Sequence, residues 1–288
     1  MEKVEFAVIG GSGLYNMTGL TDVAERWLDT PFGKPSDAVI VGKLHGRTLA
    51  FLPRHGRGHI YNPSEVPYRA NIYALKTLGV KYIVSVSACG SLREDYQPGH
   101  IVVPDQLFDF TKGKRPSTFF ENGIVAHVGV ANPFSPELSS VITQAVRAAN
   151  GTVHEGGTFI TIEGPRFSTK GESNTYRQWG MSIIGMTTAT EAVLAAEAEI
   201  AYAVMAHVTD YDVWHESEEP VSTEAVIRIL RQNTTLAQEA ISWMAANFDH
   251  WANEWPAHNG LNGSFLIDPA KISPEVKHRL APILSKYM

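Results

Sequence analysis

AYAVMAHVTDYD, residues 201–212, is an apolar run that ends on two carboxylates, Asp210 and Asp212. Its first eight residues are apolar but for His207, with no Asp, Glu, Lys or Arg among them, the pattern of a buried strand. Shorter runs of the same kind occur at VEFAVI (4–9), RTLAFL (47–52), KYIVSVS (81–87), GHIVV (99–103), GTFITI (157–162) and MSIIGM (181–186). Helical patterns separate them. Alternation of this kind predicts an α/β fold, a central mixed β-sheet flanked by helices.

The helices have their own signals. In SPELSSVITQAVRAANG, Ser135 stands at the cap, Pro136 takes the first helical position, apolar residues recur from Leu138 to Ala149, and Asn150-Gly151 ends the pattern. After Met186, Thr188 and Glu191 have capping-box spacing ahead of AVLAAEAEI. A third helix is expected through AVIRILRQNTTLAQEAISWMAANF, with Val226, Ile227, Leu230, Ala237, Ala240, Ile241 and Met244 as its buried stripe. No repeat or linker interrupts the chain, so residues 1–288 are expected to form one domain. Residues 268–288 are expected to be a peripheral extension, with a helix interrupted by Pro282.

Composition narrows the function classes. With 288 residues, 44% hydrophobic and 19% charged, the chain can bury a substantial core. The net charge of −6, with 24 lysines and arginines spread along the chain, offers no basic stripe for nucleic acid. MEKVEF has no apolar signal-peptide core and no run approaches membrane-spanning length, so a cytoplasmic protein without membrane contact is expected. The one cysteine, Cys89, excludes an intramolecular disulfide and reads as a packing residue. His55 and His59 are four apart, but no carboxylate completes a zinc motif; no metal is expected.

Ligands of open α/β sheets bind beyond the carboxyl ends of the strands. There the sequence places GGSG (10–13), PRHGRGH (53–59), ACGSLRE (88–94), EGPRF (163–167), TTATE (187–191) and TDYD (209–212). GGSG lets backbone amides and the Ser12 hydroxyl approach an oxyanion, though it fits a plain turn equally well. It satisfies neither a dinucleotide fingerprint, where Asn16 stands in place of a glycine, nor a nucleophile elbow, where Leu14 does. Arg54 adds a planar fork suited to phosphate or carboxylate, and Thr187 stands at a helix N-terminus that favours an anion. In extended backbone, Asp210 and Asp212 would face the same way; the alternative is an Asx turn. Beside an anion site, two acids make sense if they face hydrogen-bond donors of the ligand, as on an aminopurine.

VIGGSGLY (8–15), TPFGKPSDAVIVGKL (30–44), RHGRGHIYNPSEVPYRANIYALKTLG (54–79), SACGSLRE (87–94), TIEGPRFST (161–169), MTTATE (186–191) and TDYDVWHE (209–216) together resemble the 5'-methylthioadenosine phosphorylases. These belong to the trimeric purine nucleoside phosphorylase superfamily. The resemblance runs in order over about residues 4–247 and implies a phosphorylase-like fold and a homotrimer. It also implies phosphorolysis of 5'-methylthioadenosine, with inorganic phosphate as co-substrate and no cofactor. Ser12, Arg54, Ser87 and Thr187 match the family's phosphate contacts, with His55 in the same loop. Ala88, Phe167, Ile184 and Met186 match the walls around base and sugar. Asp210 and Asp212, with Thr209 before them, match the adenine site. Asp210 with Ser12 and Arg54 would carry the catalysis. His127 matches a residue reaching the 5' pocket from a neighbouring subunit, and Val226 and Ile227 match positions that receive the methylthio group. Thr223 stands where the family often has valine and would tolerate a 5'-hydroxyl, so adenosine or 5'-deoxyadenosine phosphorolysis is the alternative. A 6-oxopurine phosphorylase would be expected to carry an asparagine reader. A hydrolytic nucleosidase would have no use for the phosphate residues. An oxidoreductase would need the broken glycine fingerprint, and a purine sensor would not need an acid.

Overall fold

The structure, a computed structural model, describes residues 3–11, 13–216 and 223–288, with backbone alone for 223–228, 230–232 and 269. In chain order its elements are β1 (Phe6–Gly10), β2 (Thr21–Arg26), β3 (Val39–Leu44), β4 (Arg47–Pro53), α1 (Tyr68–Thr77), β5 (Tyr82–Ser91), β6 (Ile101–Val103), β7 (Gln106–Phe110), α2 (Pro136–Ala148), β8 (Val153–Glu155), β9 (Thr158–Ile162), α3 (Lys170–Gln178), β10 (Ile183–Gly185), α4 (Thr188–Glu197), β11 (Ala201–Asp210), α5 (Thr223–Ala246), α6 (Phe248–Trp251), α7 (Pro274–Arg279) and α8 (Ala281–Leu284). Each of the seven apolar runs forms a strand. Strands β2, β3, β7 and β8 join them in one mixed sheet, so the expected architecture holds.

β5 organises the sheet. One of its edges is paired along almost its whole length by parallel β11, from Ala201 opposite Tyr82 to Asp210 opposite Gly90. The other edge is shared: parallel β1 covers Tyr82 to Ser85, and antiparallel β10 covers Gly90 and Ser91. Between them, residues 86–89 have no strand partner on that edge among the described residues. This split is a topological switch point, where an open sheet leaves room for a ligand.

Alternating side chains of the long strands feed two cores. Ile83, Val204 and Val208 belong to one, beneath α1 and α4; Val84, Ala203 and Met205 belong to the other, beneath α2 and α5. Helix α2 begins as expected, with Ser135 Oγ accepting from the Leu138 amide and Pro136 at the first position. Along α5, Ala237, Ala240, Ile241 and Met244 are buried, while the side chains of Val226, Ile227 and Leu230 lie outside the described residues. The C-terminal segment is not peripheral, contrary to expectation. Ile272, Val276, Leu280, Ile283 and Leu284 are buried in the first core, and the Tyr73 hydroxyl donates to the Arg279 carbonyl at 2.7 Å. Pro282 sits inside the first turn of α8, where its missing N–H costs nothing. No helix among the described residues is long and apolar enough to cross a membrane.

Candidate active site

A cavity of about 580 Å³ opens at the gap on β5, and Val86, Ser87, Ala88 and Cys89 line it. The ends of β1, β4, β10 and β11 and the start of α4 converge on it, as the residues after each apolar run suggested.

Asp210 ends β11 and Asp212 follows in a turn with φ of 52°, so the two acids are not in the extended backbone anticipated. The Asp212 amide donates to Asp210 Oδ1 at 2.8 Å, an Asx turn. The turn nevertheless delivers both carboxylates to the cavity. Gly90 makes room for them: a Cβ there would meet Asp210 Oδ1 at 2.9 Å and Asp212 Cβ at 3.3 Å. Burial raises the Asp210 pKa to about 6; hydrogen bonds from Thr209 and the Asp212 amide resist the shift, and the Asp212 charge adds to it. Thr209 Oγ1 lies 2.6 Å from Asp210 Oδ2 and 3.2 Å from the Cys89 carbonyl. Its single proton serves the carboxylate when Asp210 is charged and is free for the carbonyl when Asp210 is protonated. Burial also raises the Asp212 pKa. The Ser173 and Ser168 hydroxyls lie close enough to oppose that rise, but Asp212 Oδ2 makes no geometrically sound hydrogen bond among the described residues.

At the Val86 end of the gap, the cavity is lined by groups whose chemistry suits an anion. Arg54 is buried, and its planar fork holds a carboxylate of the protein itself. Nε and Nη2 donate to the Glu191 carboxylate at 2.5 and 3.0 Å, Nη2 also donates to Ser85 Oγ at 2.7 Å, and Nη1 donates to the Val86 carbonyl at 3.2 Å. One Nη1 proton remains for a ligand. Burial opposes the charge on Arg54, and Glu191 more than reverses that, holding the guanidinium ionised. The expected Thr188–Glu191 capping box is absent for the same reason: Thr187 is the N-cap, and Glu191 turns inward to Arg54, Ser85 and Tyr202. Thr187 makes no side-chain cap bond, which leaves its hydroxyl for a ligand.

His55 is held neutral at pH 7, its pKa lowered to about 4 by burial and by the neighbouring Arg54 charge. Its Nδ1 donates to the Tyr61 carbonyl at 2.8 Å, so Nε2 is an acceptor. It can therefore take a hydrogen bond from a P–OH group, which makes it complementary to hydrogen phosphate.

Ala88, Phe167, Ile184 and Met186 line the cavity together with Arg54, His55, Ser87, Thr187, Thr209 and the two acids. His127 does not; it is exposed on the segment bridged to Phe265. Ser12 lies outside the described residues, as do the side chains of Thr223, Val226 and Ile227. Cys89 is buried, its thiol pKa pushed up by burial, as befits a packing residue. Gly185 has a packing reason, since a Cβ there would lie 2.8 Å from the Phe159 ring.

The model of the phosphorylase superfamily matches residues 5–244 of this chain. A Chloroflexus aurantiacus protein named S-methyl-5'-thioadenosine phosphorylase is 55% identical over 287 residues, spanning 100% of this chain and 99% of the relative. The chain belongs to the methylthioadenosine phosphorylase family. Solved structures agree. A methylthioadenosine phosphorylase from an Antarctic soil metagenomic library superposes with a TM-score of 0.94 at 48% identity, covering 99% of this chain and 100% of the other. The Schistosoma mansoni methylthioadenosine phosphorylase in complex with adenine gives 0.83 at 34%, covering 98% of each chain.

Several residues of this phosphorylase site gave no sequence signal. Glu191 lies 137 positions from Arg54 and was hidden inside a helix-start motif. Arg115 donates to the Met186 and Glu163 carbonyls at 2.5 and 2.6 Å, bracing the strand end that precedes Thr187. Thr161 Oγ1 accepts from the Ala189 amide at 3.1 Å, satisfying one of the free amides of α4. His207 and Asn233 also face the cavity.

Proposed function

We infer that this phosphorylase cleaves 5'-methylthioadenosine with inorganic phosphate, giving adenine and 5-methylthioribose 1-phosphate. The observation that carries the reading is the single cavity, with a protonatable acid on one wall and an anion cradle on the other. Adenine lies against Asp210 and Asp212, and phosphate lies against the free Nη1 proton of Arg54, His55, Ser87 and Thr187, with Ser12 assigned there by the family match. The ribose bridges them, over Ala88 and Met186.

The C1'–N9 bond breaks with its electron pair moving to the purine, and positive charge develops on the sugar. A phosphate oxygen held at that face stabilises the charge and forms the new C1'–O bond; such positioning lowers a barrier by as much as ~7–11 kcal/mol. Asp210 gives its proton to N7, so adenine leaves neutral. Asp212 accepts from the exocyclic amine. No electrons are gained or lost, and no cofactor is needed.

Assaying adenine release from methylthioadenosine, adenosine, 5'-deoxyadenosine and inosine, each with and without phosphate, tests this. Release should require phosphate and favour the adenine nucleosides; phosphate-independent release would point to hydrolysis. A 6-oxopurine sets a carbonyl against a carboxylate, a mismatch that costs ~10⁴–10⁵ in selectivity where buried polar groups are left unpaired. Asp210→Asn combined with Asp212→Ala should therefore relax the preference for adenine over hypoxanthine nucleosides. Unaltered selectivity in that variant would remove the role given to the acids.

The same reading implies a cytoplasmic homotrimer. His127 and the 80% exposed Leu266 flank the Ala126–Phe265 bridge together with exposed Val125, an apolar surface suited to reaching a neighbouring subunit's 5' pocket.

A further inference from the structure

A second buried guanidinium stands behind the cavity wall. Arg115 lies on the connection from β7 to α2; its side chain is 2% exposed, and it is not among the residues that line the cavity. Its fork joins the ends of two neighbouring strands. Nη1 donates to the Met186 carbonyl just beyond β10 at 2.5 Å, and Nη2 donates to the Glu163 carbonyl just beyond β9 at 2.6 Å. The fork is itself held in place. Nε lies 3.5 Å from Glu163 Oε1, which accepts from Ser64 Oγ, and Glu163 Oε2 accepts from the Lys112 amide at 2.6 Å. Nη1 and Nη2 also donate to Tyr68 Oη and Ser64 Oγ, each at 3.4 Å.

This arrangement fixes the direction of one peptide group. The Met186–Thr187 peptide is trans, so its C=O and N–H point to opposite sides. With the carbonyl pinned behind the wall, the Thr187 N–H faces the cavity that Met186 and Thr187 line. That amide donates to no protein acceptor among the described residues, so it stands beside the Thr187 hydroxyl as a second donor for an anion at the start of α4. Rotation of the same peptide would turn the Met186 oxygen toward the anion in place of the donor. Only a planar fork can hold both carbonyls at once; an ammonium is a single point of charge.

We propose that Arg115 is a positioning residue of this phosphorylase: it touches no reactant, and its grip on the Met186 carbonyl keeps the Thr187 amide turned toward phosphate. The proposal rests on the phosphorylase reading above and deepens it at the phosphate end.

Arg115→Met removes charge and fork together, and Arg115→Lys keeps the charge without the fork. In both, the KM for phosphate should rise about 10- to 100-fold, as loss of a hydrogen bond to a charged group implies. The Kd for free adenine should stay within twofold of the parent, because Asp210 and Asp212 stand at the end of β11, away from the strand ends that Arg115 holds. A parental phosphate KM in Arg115→Lys would reduce Arg115 to a distant charge and overturn the proposal. Equal weakening of phosphate and adenine would also overturn it, since that marks a general loosening of the fold. A crystal structure of the parent protein with phosphate bound covers variants that do not fold. The Thr187 amide should lie within hydrogen-bond reach of a phosphate oxygen while the Met186 carbonyl remains on Arg115, and an amide turned away from the bound phosphate would overturn the proposal. Adenine release by the parent without phosphate would defeat the phosphorylase reading and this proposal with it, whereas a phosphate-dependent parent whose variants keep its phosphate KM would defeat this proposal alone.

Discussion

Asp210→Asn is expected to lower kcat for methylthioadenosine by about 10²- to 10⁴-fold, the usual worth of a general acid, while making the protein more stable at pH 8. The two effects share one cause. The wild-type carboxyl prefers to be protonated in the folded state, with a pKa of about 6 against 3.8 for the free group. That preference favours folding fully below pH ~4 and is lost as the pH rises through ~6. Above that, the folded protein carries a buried carboxylate at a cost of up to about 3 kcal/mol. Asparagine keeps the acceptor for the Asp212 amide and carries no charge at any pH. Thermal melts should give equal or lower stability for the variant at pH 4 and a gain of a few degrees in Tm at pH 8. A variant that keeps near-wild-type kcat, or whose Tm difference does not grow with pH, would contradict the role given to Asp210.

Arg54→Met should destabilise the protein by ~3–5 kcal/mol, because it leaves the Glu191 carboxylate buried and unpaired. It should also raise the KM for phosphate by about 10- to 100-fold, as the loss of a charge-assisted hydrogen bond implies. The double variant Arg54→Met with Glu191→Met separates the two. Removing both charges should return most of the stability, as isosteric apolar replacement of a buried ion pair often does, and should leave the phosphate defect in place. Denaturation midpoints and phosphate saturation curves read the two effects independently. A double variant as unstable as Arg54→Met, or with wild-type phosphate KM, would show that this pair is not the rigid support of the cradle.

The long strands were legible because burial on both faces leaves continuous apolar runs, and α2 because Ser135 and Pro136 mark its start unambiguously. The hairpin of β3 and β4 carries a signal too: His45-Gly46, both at positive φ, form its two-residue turn. β2 carries none. All six of its residues are exposed, and it is a strand only because β3 offers its edge. The acids were legible as a pair but not in conformation, since D-x-D spacing suits both an extended segment and an Asx turn. Local motifs misled where a distant partner competed. Glu191 has capping-box spacing, yet the pull of a buried guanidinium outweighs a cap worth roughly 1 kcal/mol. The C-terminal segment read as peripheral because short helices broken by proline show little periodicity, although Leu280 and Leu284 are fully packed. His207 was invisible for the simplest reason: a lone histidine in an apolar strand has no spacing to read.

The central claim is spatial: the purine acid and the phosphate cradle address one substrate from opposite ends of its sugar. A crystal structure with phosphate and a non-cleavable adenine nucleoside analogue bound together tests it most directly. The account predicts Asp210 and Asp212 at the N7 and N6 edge of the base. It predicts phosphate within hydrogen-bond reach of Arg54 Nη1, Ser87 and Thr187, in line with C1'. Phosphate bound away from C1', or a base turned away from the two acids, would contradict it.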